Sequence, residues 1–391
     1  MTVKTSYVIR DTFLVFGSPA IGEEEITEVL EVLRSGWIGT GPKVAEFERK
    51  IGSYLNAKHA VAVNSATAAL HLSFLASGIQ AGDEVITTAN TFCATVNAII
   101  HSGATPVLVD MDRATCNLDV SQIEEAVTSR TKAICPVHYA GLPCEMDEIE
   151  KLAKKYNLLI IEDCAHAVET LYKGKKAGTF GDFGCFSFYV TKNVVTGEGG
   201  MIITKQEQYA DRLKILALHG MTKDAWKRFG DEGYHHYQVV ASGFKYNMTD
   251  MQAALGIHQL ARVNKNWLKR EAIWKTYSNR LKHLPLGLPV AARPSDRHAY
   301  HLFPIRVDAS KVGITRDEFL NEMAARRIGV GVHYLSIPEH PFYQKEFGWK
   351  PEDFPEAMAY GRETVSLPLS AKLMERDVED VILAIENILN L

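Results

Sequence analysis

Short apolar runs separated by amphipathic stretches fill the chain from about residue 24 to residue 260. Seven of them, AVAV, EVITT, TPVLVD, KAICPV, LLIIED, CFSFYV and MIIT, have the length and the β-branched or aromatic content of strands. Apolar positions between these runs recur at helical spacing. Strands that alternate with helices and carry few polar positions of their own imply a mostly parallel sheet covered on both faces. The expected fold class is therefore α/β, with a seven-stranded sheet in a large domain spanning residues 1–260. After it the pattern changes. Long amphipathic stretches run from Asp250 to Leu281 and from Glu375 to Leu391, and only FPIRV and GVGVHY read as strands. A smaller C-terminal α+β domain is expected over residues 261–391, joined through the helix near residues 250–281. The proline-containing segment LPLGLPVAARPSD, residues 284–296, reads as a surface connection.

In such sheets ligands collect at the carboxyl ends of strands, where Asn64, Asp163 and Lys192 are expected. Lys192 lies in SFYVTKNVVTGEGG, between two strand-forming runs, and Asp163 closes the apolar run LLIIED. A lysine held there loses hydration, which lowers its pKa and makes its amine a nucleophile and a base. An aspartate at a strand end can keep a pyridine nitrogen protonated. Together they point to pyridoxal phosphate (PLP) chemistry, in which a lysine amine forms a Schiff base and the protonated ring accepts electrons. Each residue alone has an ordinary reading as well, as a hairpin-loop lysine and a turn aspartate.

The turn Asn64-Ser65-Ala66-Thr67 runs from a strand into a helix and offers hydroxyls and free amides at a helix N-terminus, a cradle for phosphate. Ser65 and Thr67 serve equally well as plain helix caps. Phe92, just past EVITT, stands where an aromatic ring can stack on a pyridine, with core packing as its alternative. His166, three residues beyond Asp163, can bond a ring oxygen or order the aspartate, or be a buried structural histidine. Ser187 can add a phosphate hydroxyl or be a strand serine.

Composition narrows the field. The chain has 391 residues, 46% hydrophobic and 23% charged, with a formal net charge of −4, which gives no electrostatic reason to expect nucleic acid or an anionic membrane. Six cysteines form no CxxC pair and read as reduced structural thiols. No stretch approaches 18 uninterrupted apolar residues, and the N-terminus lacks the pattern of a signal peptide, so a soluble cytoplasmic protein is expected. Asp182-Phe183-Gly184 imitates a kinase metal loop without the segments a kinase needs. None of the fourteen histidines sits in HExxH, and no catalytic metal is expected.

The segments WIGTGPKVAEFE, NSATAALHL, EDCAHA, GDFGCFSFYVTKNVVTGEGGM and GFKYNMTDMQAALG resemble the sugar aminotransferases of the DegT/DnrJ/StrS family, over almost the whole chain. The resemblance implies a fold-type-I PLP enzyme, like aspartate aminotransferase in fold, that aminates keto-sugar nucleotides. It implies Lys192 as the cofactor lysine, Asp163 as the partner of the ring nitrogen, His166 near the ring and Phe92 stacked on it. Ser65, Ala66, Thr67 and Ser187 fall on phosphate-binding positions. Asn247 falls where the neighbouring subunit of a homodimer completes that site, and Thr40, His333 and Tyr334 match positions near the substrate. Retention of Lys192 separates the chain from relatives in which histidine replaces the lysine and the chemistry is deoxygenation or dehydration. Glutamate is the implied amino donor. The segment KDAWKRFGDEGYHHYQ is similar to members that aminate C4 of 4-keto-6-deoxyhexoses on UDP or dTDP for surface polysaccharides. A 3-keto-sugar transaminase and a non-catalytic regulator or binding protein of the same fold are the alternatives.

Overall fold

The seven apolar runs alternate in the faces they bury, and that alternation builds the protein. Val61, Val85, Ala133, Ile161, Phe183, Cys185 and Ile202 enter one apolar cluster, with the helices Ala66–Ala76 and Glu207–Ala217. Their neighbours in sequence turn the other way. Ala62, Phe186, Met201 and Ile203 pack with the helices Pro42–Leu55 and Asp250–Ala261, and Ile86, Ile134 and Ile160 pack with the helix Met146–Tyr156. A strand buried on both faces has no use for polar alternation, which is why these runs are continuously apolar.

The computed structural model describes residues 9–222 and 236–389. Its strands are β1 (His59–Val63), β2 (Glu84–Thr88), β3 (Thr105–Val109), β4 (Thr131–Ile134), β5 (Leu159–Asp163), β6 (Leu171–Tyr172), β7 (Lys175–Lys176), β8 (Phe183–Ser187), β9 (Gly200–Thr204), β10 (Phe303–Arg306) and β11 (Thr364–Leu367). The main sheet has the order β1-β9-β8-β5-β4-β2-β3, so each expected run supplies one of its seven strands. All pairings are parallel except those of β9, which is antiparallel to β1 and β8. The strands β6 and β7 form a separate hairpin.

Beyond the main sheet, the expected amphipathic stretches are helices at Asp250–Ala261, Val263–Leu281 and Glu375–Ile388. A second core gathers residues from Ile273 to Ile388 around β10 and β11, and Leu14 joins it through a bridge to Ile328. One expectation fails: GVGVHY, residues 329–334, is not a strand. Only Gly331 touches the small sheet, by an isolated bridge to Ser366, and β11, from TVSL, is the partner of β10. Gly329 presses against the Leu14 carbonyl, so the segment follows the N-terminal chain and then bends away, carrying His333 and Tyr334 to the main sheet's carboxyl end. Residues 284–296 form no helix or strand apart from a single bridge at Gly287. All six cysteines are free thiols. Among the described residues, no helix is long and apolar enough to cross a membrane.

One glycine fixes how closely the strand ends approach. Gly200 pairs with Val63 on one side and Ser187 on the other, and a Cβ there would lie 2.5 Å from the carbonyl carbon and oxygen of Ser65. Backbone cannot yield as a side chain does. The variant Gly200→Ala is expected to lose about 1–3 kcal/mol of stability, the usual cost of overpacking, read by urea denaturation. Unchanged stability would show that this contact is loose.

Candidate functional site

A cavity of about 370 Å³ opens at the carboxyl ends of β1, β5 and β8. Ser65, Ala66, Thr67, Phe92, Asp163, His166, Ser187, Lys192, His333 and Tyr334 all line it. Ten of the twelve residues singled out from sequence therefore converge on one space. A slightly larger cavity, about 410 Å³, lies elsewhere against Val44, Val61 and Leu218. Its lining is mostly apolar and lacks a comparable set of facing titratable groups, so chemistry belongs to the first.

Strand pairing explains why Asp163 and Lys192 meet. β5 and β8 run parallel with Asp163 opposite Cys185, so Asp163 ends its strand beside the strand that leads to the lysine loop. That loop, residues 188–199, reverses the chain into β9, and the Lys192 amide is held on the Tyr189 carbonyl at 2.8 Å. The reading of Lys192 as a hairpin-loop lysine and the reading as a desolvated amine both hold, because the loop folds into the cavity.

Burial acts on both charges. It lowers the Lys192 ammonium to about 8, with the nearby Asp163 carboxylate opposing the shift. The Asp163 carboxyl is raised by burial; the Ala165 amide, the Thr95 hydroxyl and Lys192 oppose that shift. Thr95 donates to Asp163 Oδ2 at 2.8 Å and the Ala165 amide donates to Oδ1 at 3.1 Å, which fixes the plane of the carboxylate. With the Thr95 proton committed to Asp163, Thr91 donates to Thr95 at 2.7 Å. Neither threonine was singled out from sequence. They sit among the polar residues of TTANTFCAT, whose spacing gives no sign that one of them faces a strand 68 residues away.

The aromatic wall is neutral. His166 Nδ1 accepts from the Ala140 amide at 3.2 Å, and burial, with Lys192 and two other histidines nearby, holds its pKa well below the ordinary value. Its single proton is therefore on Nε2, directed to the Tyr334 hydroxyl at 2.9 Å. His333 is pushed down to about 3, mainly by burial, and its Nδ1 meets the Ser366 hydroxyl at 2.9 Å. Phe92 is 54% exposed and tilts against Tyr334, so it is not a core residue and its open face is turned to solvent and cavity.

At the opposite end, Ser65 caps the helix Ala66–Ala76, its hydroxyl accepting from the Ala68 amide at 3.1 Å. The cap and cradle readings coexist, since the first amides of that helix still point past Ser65. Ser187 reaches the same corner through its pairing with Gly200. A helix N-terminus with two or three hydroxyls suits a phosphate and needs no lysine there.

Thr40 and Asn247 lie apart from this cavity and line the other one. Asn247 Nδ2 donates to the Thr40 hydroxyl, which donates to the Met248 carbonyl, each at 2.5 Å. Thr249, not Asn247, caps the helix Asp250–Ala261 and shares a capping box with Gln252. Most of KDAWKRFGDEGYHHYQ, residues 223–235, lies outside the described residues. One buried group of ligand-type residues, His138, Glu162 and Cys164, stands behind the site. Glu162 accepts from His138 and from the amides of Gly178, Phe180 and Gly181, so its carboxylate is fully used as a structural anchor.

A parallel α/β sheet with a buried lysine, a buried aspartate and an anion cradle at its carboxyl edge defines the fold-type-I class of PLP-dependent transferases. The model of the DegT/DnrJ/EryC1/StrS aminotransferase family matches residues 19–386. The chain belongs to that family, which is PLP-dependent and includes sugar aminotransferases solved with PLP and PMP. The spore coat polysaccharide biosynthesis protein SpsC of Bacillus subtilis is 48% identical over 380 residues, 97% of this chain and 98% of that protein. Among solved structures, Spr1654 of Streptococcus pneumoniae, assigned as a sugar aminotransferase and solved in its PLP form, superposes with a TM-score of 0.88 at 34% identity, covering 97% of this chain and 99% of that one. PseC of Helicobacter pylori, an aminotransferase of pseudoaminic acid biosynthesis, gives 0.89 at 30% identity, covering 97% and 100%.

The lysine's environment makes a pH prediction. Its folded-state pKa lies near 8 against the ordinary lysine value of 10.5, so between those limits the native state binds fewer protons than the unfolded one. The cost of burying this ammonium is fully present below pH 8 and is relieved as pH rises to 10.5. In cofactor-free protein, acylation of Lys192 followed by peptide mass should reach half its limiting rate near pH 8, while exposed lysines are still gaining. A Lys192 midpoint above 10 would rule out the desolvated amine.

Proposed function

We propose that this protein transfers an amino group from glutamate to a 4-keto-6-deoxyhexose carried on UDP or dTDP, in the cytoplasm, for a surface polysaccharide. The observation that carries the chemistry is the single cavity in which Lys192, Asp163 and the helix N-terminus at Ser65 face one another. PLP, when bound, supplies an aldehyde for an amine to condense with and a ring that withdraws electrons. Asp163 fits the ring nitrogen because it is a buried carboxyl lining the cavity, raised by burial despite the cations near it, and Thr95 and Ala165 keep it aimed. Ser65, Ala66, Thr67 and Ser187 hold the phosphate. Phe92 would lie against the ring, and His166, whose Nε2 proton is directed to the Tyr334 hydroxyl, would stand beside it. Lys192 carries the cofactor and, once its amine is free, takes the α-proton of the amino donor at Nζ. Its low pKa supports this, since a neutral amine is needed for both tasks. His333 and Tyr334, with Thr40 of a second subunit, face the nucleotide sugar.

The Asn247–Thr40 pair supports a homodimer with shared sites. Both residues miss their own cavity, and the neighbouring surface is apolar. Ile26, Leu30 and Leu33 form an exposed stripe on the helix Glu23–Ser35, followed by exposed Trp37 and Ile38. A second copy covers that stripe and brings Asn247 to the partner's phosphate cradle, and an isologous contact makes the two sites equivalent.

Replacement of Lys192 by alanine should lower amino transfer by several orders of magnitude while PLP still binds without a covalent bond; activity within about tenfold of wild type would defeat the assignment. Incubation of wild-type protein with glutamate and a panel of 3-keto and 4-keto nucleotide sugars, read by mass, should give an amino sugar from the 4-keto members. Amination of 3-keto sugars alone moves the assignment to the other carbon, and failure with every sugar despite bound PLP favours a binding protein.

Sharing has its own test. Mixed Lys192→Ala and Asn247→Asp chains should recover activity above either parent, because a hybrid dimer gathers both defects into one site. Proven hybrids without recovery would show that each subunit works alone.

A further inference from the structure

The residue after the lysine is tied more tightly than the lysine itself. Asn193 Nδ2 donates to Glu169 Oε2 at 2.8 Å and to the Ala299 carbonyl at 3.0 Å, and its Oδ1 faces His301 Nδ1 at 3.1 Å. His301 is buried and its pKa lies well below the ordinary histidine value, so it is neutral and carries one proton. An amide oxygen only accepts, so that proton is on Nδ1. The orientation of the amide is thereby fixed, because a flipped Asn193 would set its oxygen against the Glu169 carboxylate and its NH₂ against the His301 proton.

The knot extends in two directions. Glu169 pairs through Oε1 with Arg270, both side chains being almost wholly buried. Arg270 belongs to the helix Val263–Leu281, whose later residues Ile273, Trp274, Tyr277 and Leu281 sit in the second core. On the other side, the His301 ring lies 4.4 Å from the His166 ring, and the His301 amide donates to the Ala140 carbonyl, whose residue's own amide donates to His166 Nδ1. One side chain thus joins the lysine loop, the helix that leads into the second core, and the segment behind His166.

We propose that Asn193 is a positioning residue for Lys192, holding the lysine loop against the Glu169–Arg270 pair and His301 so that the Lys192 amine stays buried at the cavity floor. The inference rests on the reading of Lys192 as the reactive amine. Asn193 touches no reacting atom; it acts through the lysine backbone, and through His301 on the face of His166 turned from the cavity. A role limited to fastening the second core onto the sheet is the competing account, and the two differ in what they do to the amine.

The test is the pH midpoint of Lys192 acylation in full-length, cofactor-free protein, with thermal denaturation measured alongside. Wild type should titrate near pH 8. In Asn193→Ala the loosened loop hydrates the amine, and the midpoint should rise by about one unit or more, which makes the neutral fraction at pH 8 roughly fivefold smaller or lower still. The paired variant Glu169→Leu with Arg270→Leu keeps the space filled without buried charge, an exchange that proteins often tolerate. It should fold, yet show a rise in the same direction, because Asn193 has lost its carboxylate acceptor and keeps only the Ala299 carbonyl. Glu169→Gln with Arg270→Met retains an acceptor for Asn193 and should stay within about 0.3 unit of wild type. A midpoint unmoved in the leucine pair, whatever its stability, overturns the positioning role. A wild-type midpoint above 10 would instead overturn the reading of Lys192 itself, so the two failures are distinct.

Discussion

The parallel pairing of β5 with β8, followed by the reversal of the chain into β9, is the constraint from which the site follows. It sets Asp163 and the lysine loop side by side at one sheet edge. In that place neither group keeps its solution behaviour, since burial raises the aspartate and lowers the lysine while each opposes the other's shift. Two buried opposite charges at a cavity floor are costly unless something completes them. On the proposed reading, a protonated ring nitrogen would complete Asp163 and a covalent bond would take up the Lys192 amine.

The histidines near Lys192 extend the same logic. His166, His301 and His333 are all driven toward neutrality, so none of the three adds a cation on the lysine's side of Asp163, while His138, its pKa raised and its ring in contact with Glu162, lies behind the carboxylate. Each of the three then has one proton with a defined place, as His166 shows by accepting at Nδ1 and donating from Nε2. The far end of the cavity offers amides and hydroxyls, an anion cradle that suits a chain with a net charge of −4 and no basic cluster lining the cavity.

Much of this was legible in the sequence because it lies at strand ends. Apolar runs locate the strands, a strand's end locates Asp163, and a strand-to-helix turn locates Ser65. Thr95 was not legible, because its meaning depends on a partner 68 residues away. Asn193 was passed over beside Lys192 for the same reason: its partners at 169, 299 and 301 come from segments with no sequence signal of proximity. GVGVHY misled because alternating valines satisfy a strand pattern, while Gly329 and Gly331 allow a bent path that takes two of its side chains into the cavity. Thr40 and Asn247 line the second cavity and not the first, a placement that their sequence motifs do not reveal.

This division between strand ends and irregular segments bears on how one chemistry serves many sugars. Asp163 and the turn at Ser65 are set by the register of a buried sheet, where a one-residue slip would turn every apolar side chain to the wrong face, and the Lys192 loop is anchored at both ends by that sheet. The other end of the cavity is built differently. His333 and Tyr334 stand on a segment without regular structure, held by a single bridge at Gly331, by the Tyr139 hydroxyl on the His333 carbonyl, and by Ser366 of β11. Such a segment can change its course without disturbing the sheet, because its ties are a few side-chain bonds. Proteins about 30–48% identical to this chain retain the architecture while named for different ends, spore coat polysaccharide in one case and pseudoaminic acid in another. On the proposed reading, the cofactor's partners lie at strand ends and in the loop that joins β8 to β9, whereas the residues nearest the sugar lie on an irregular segment.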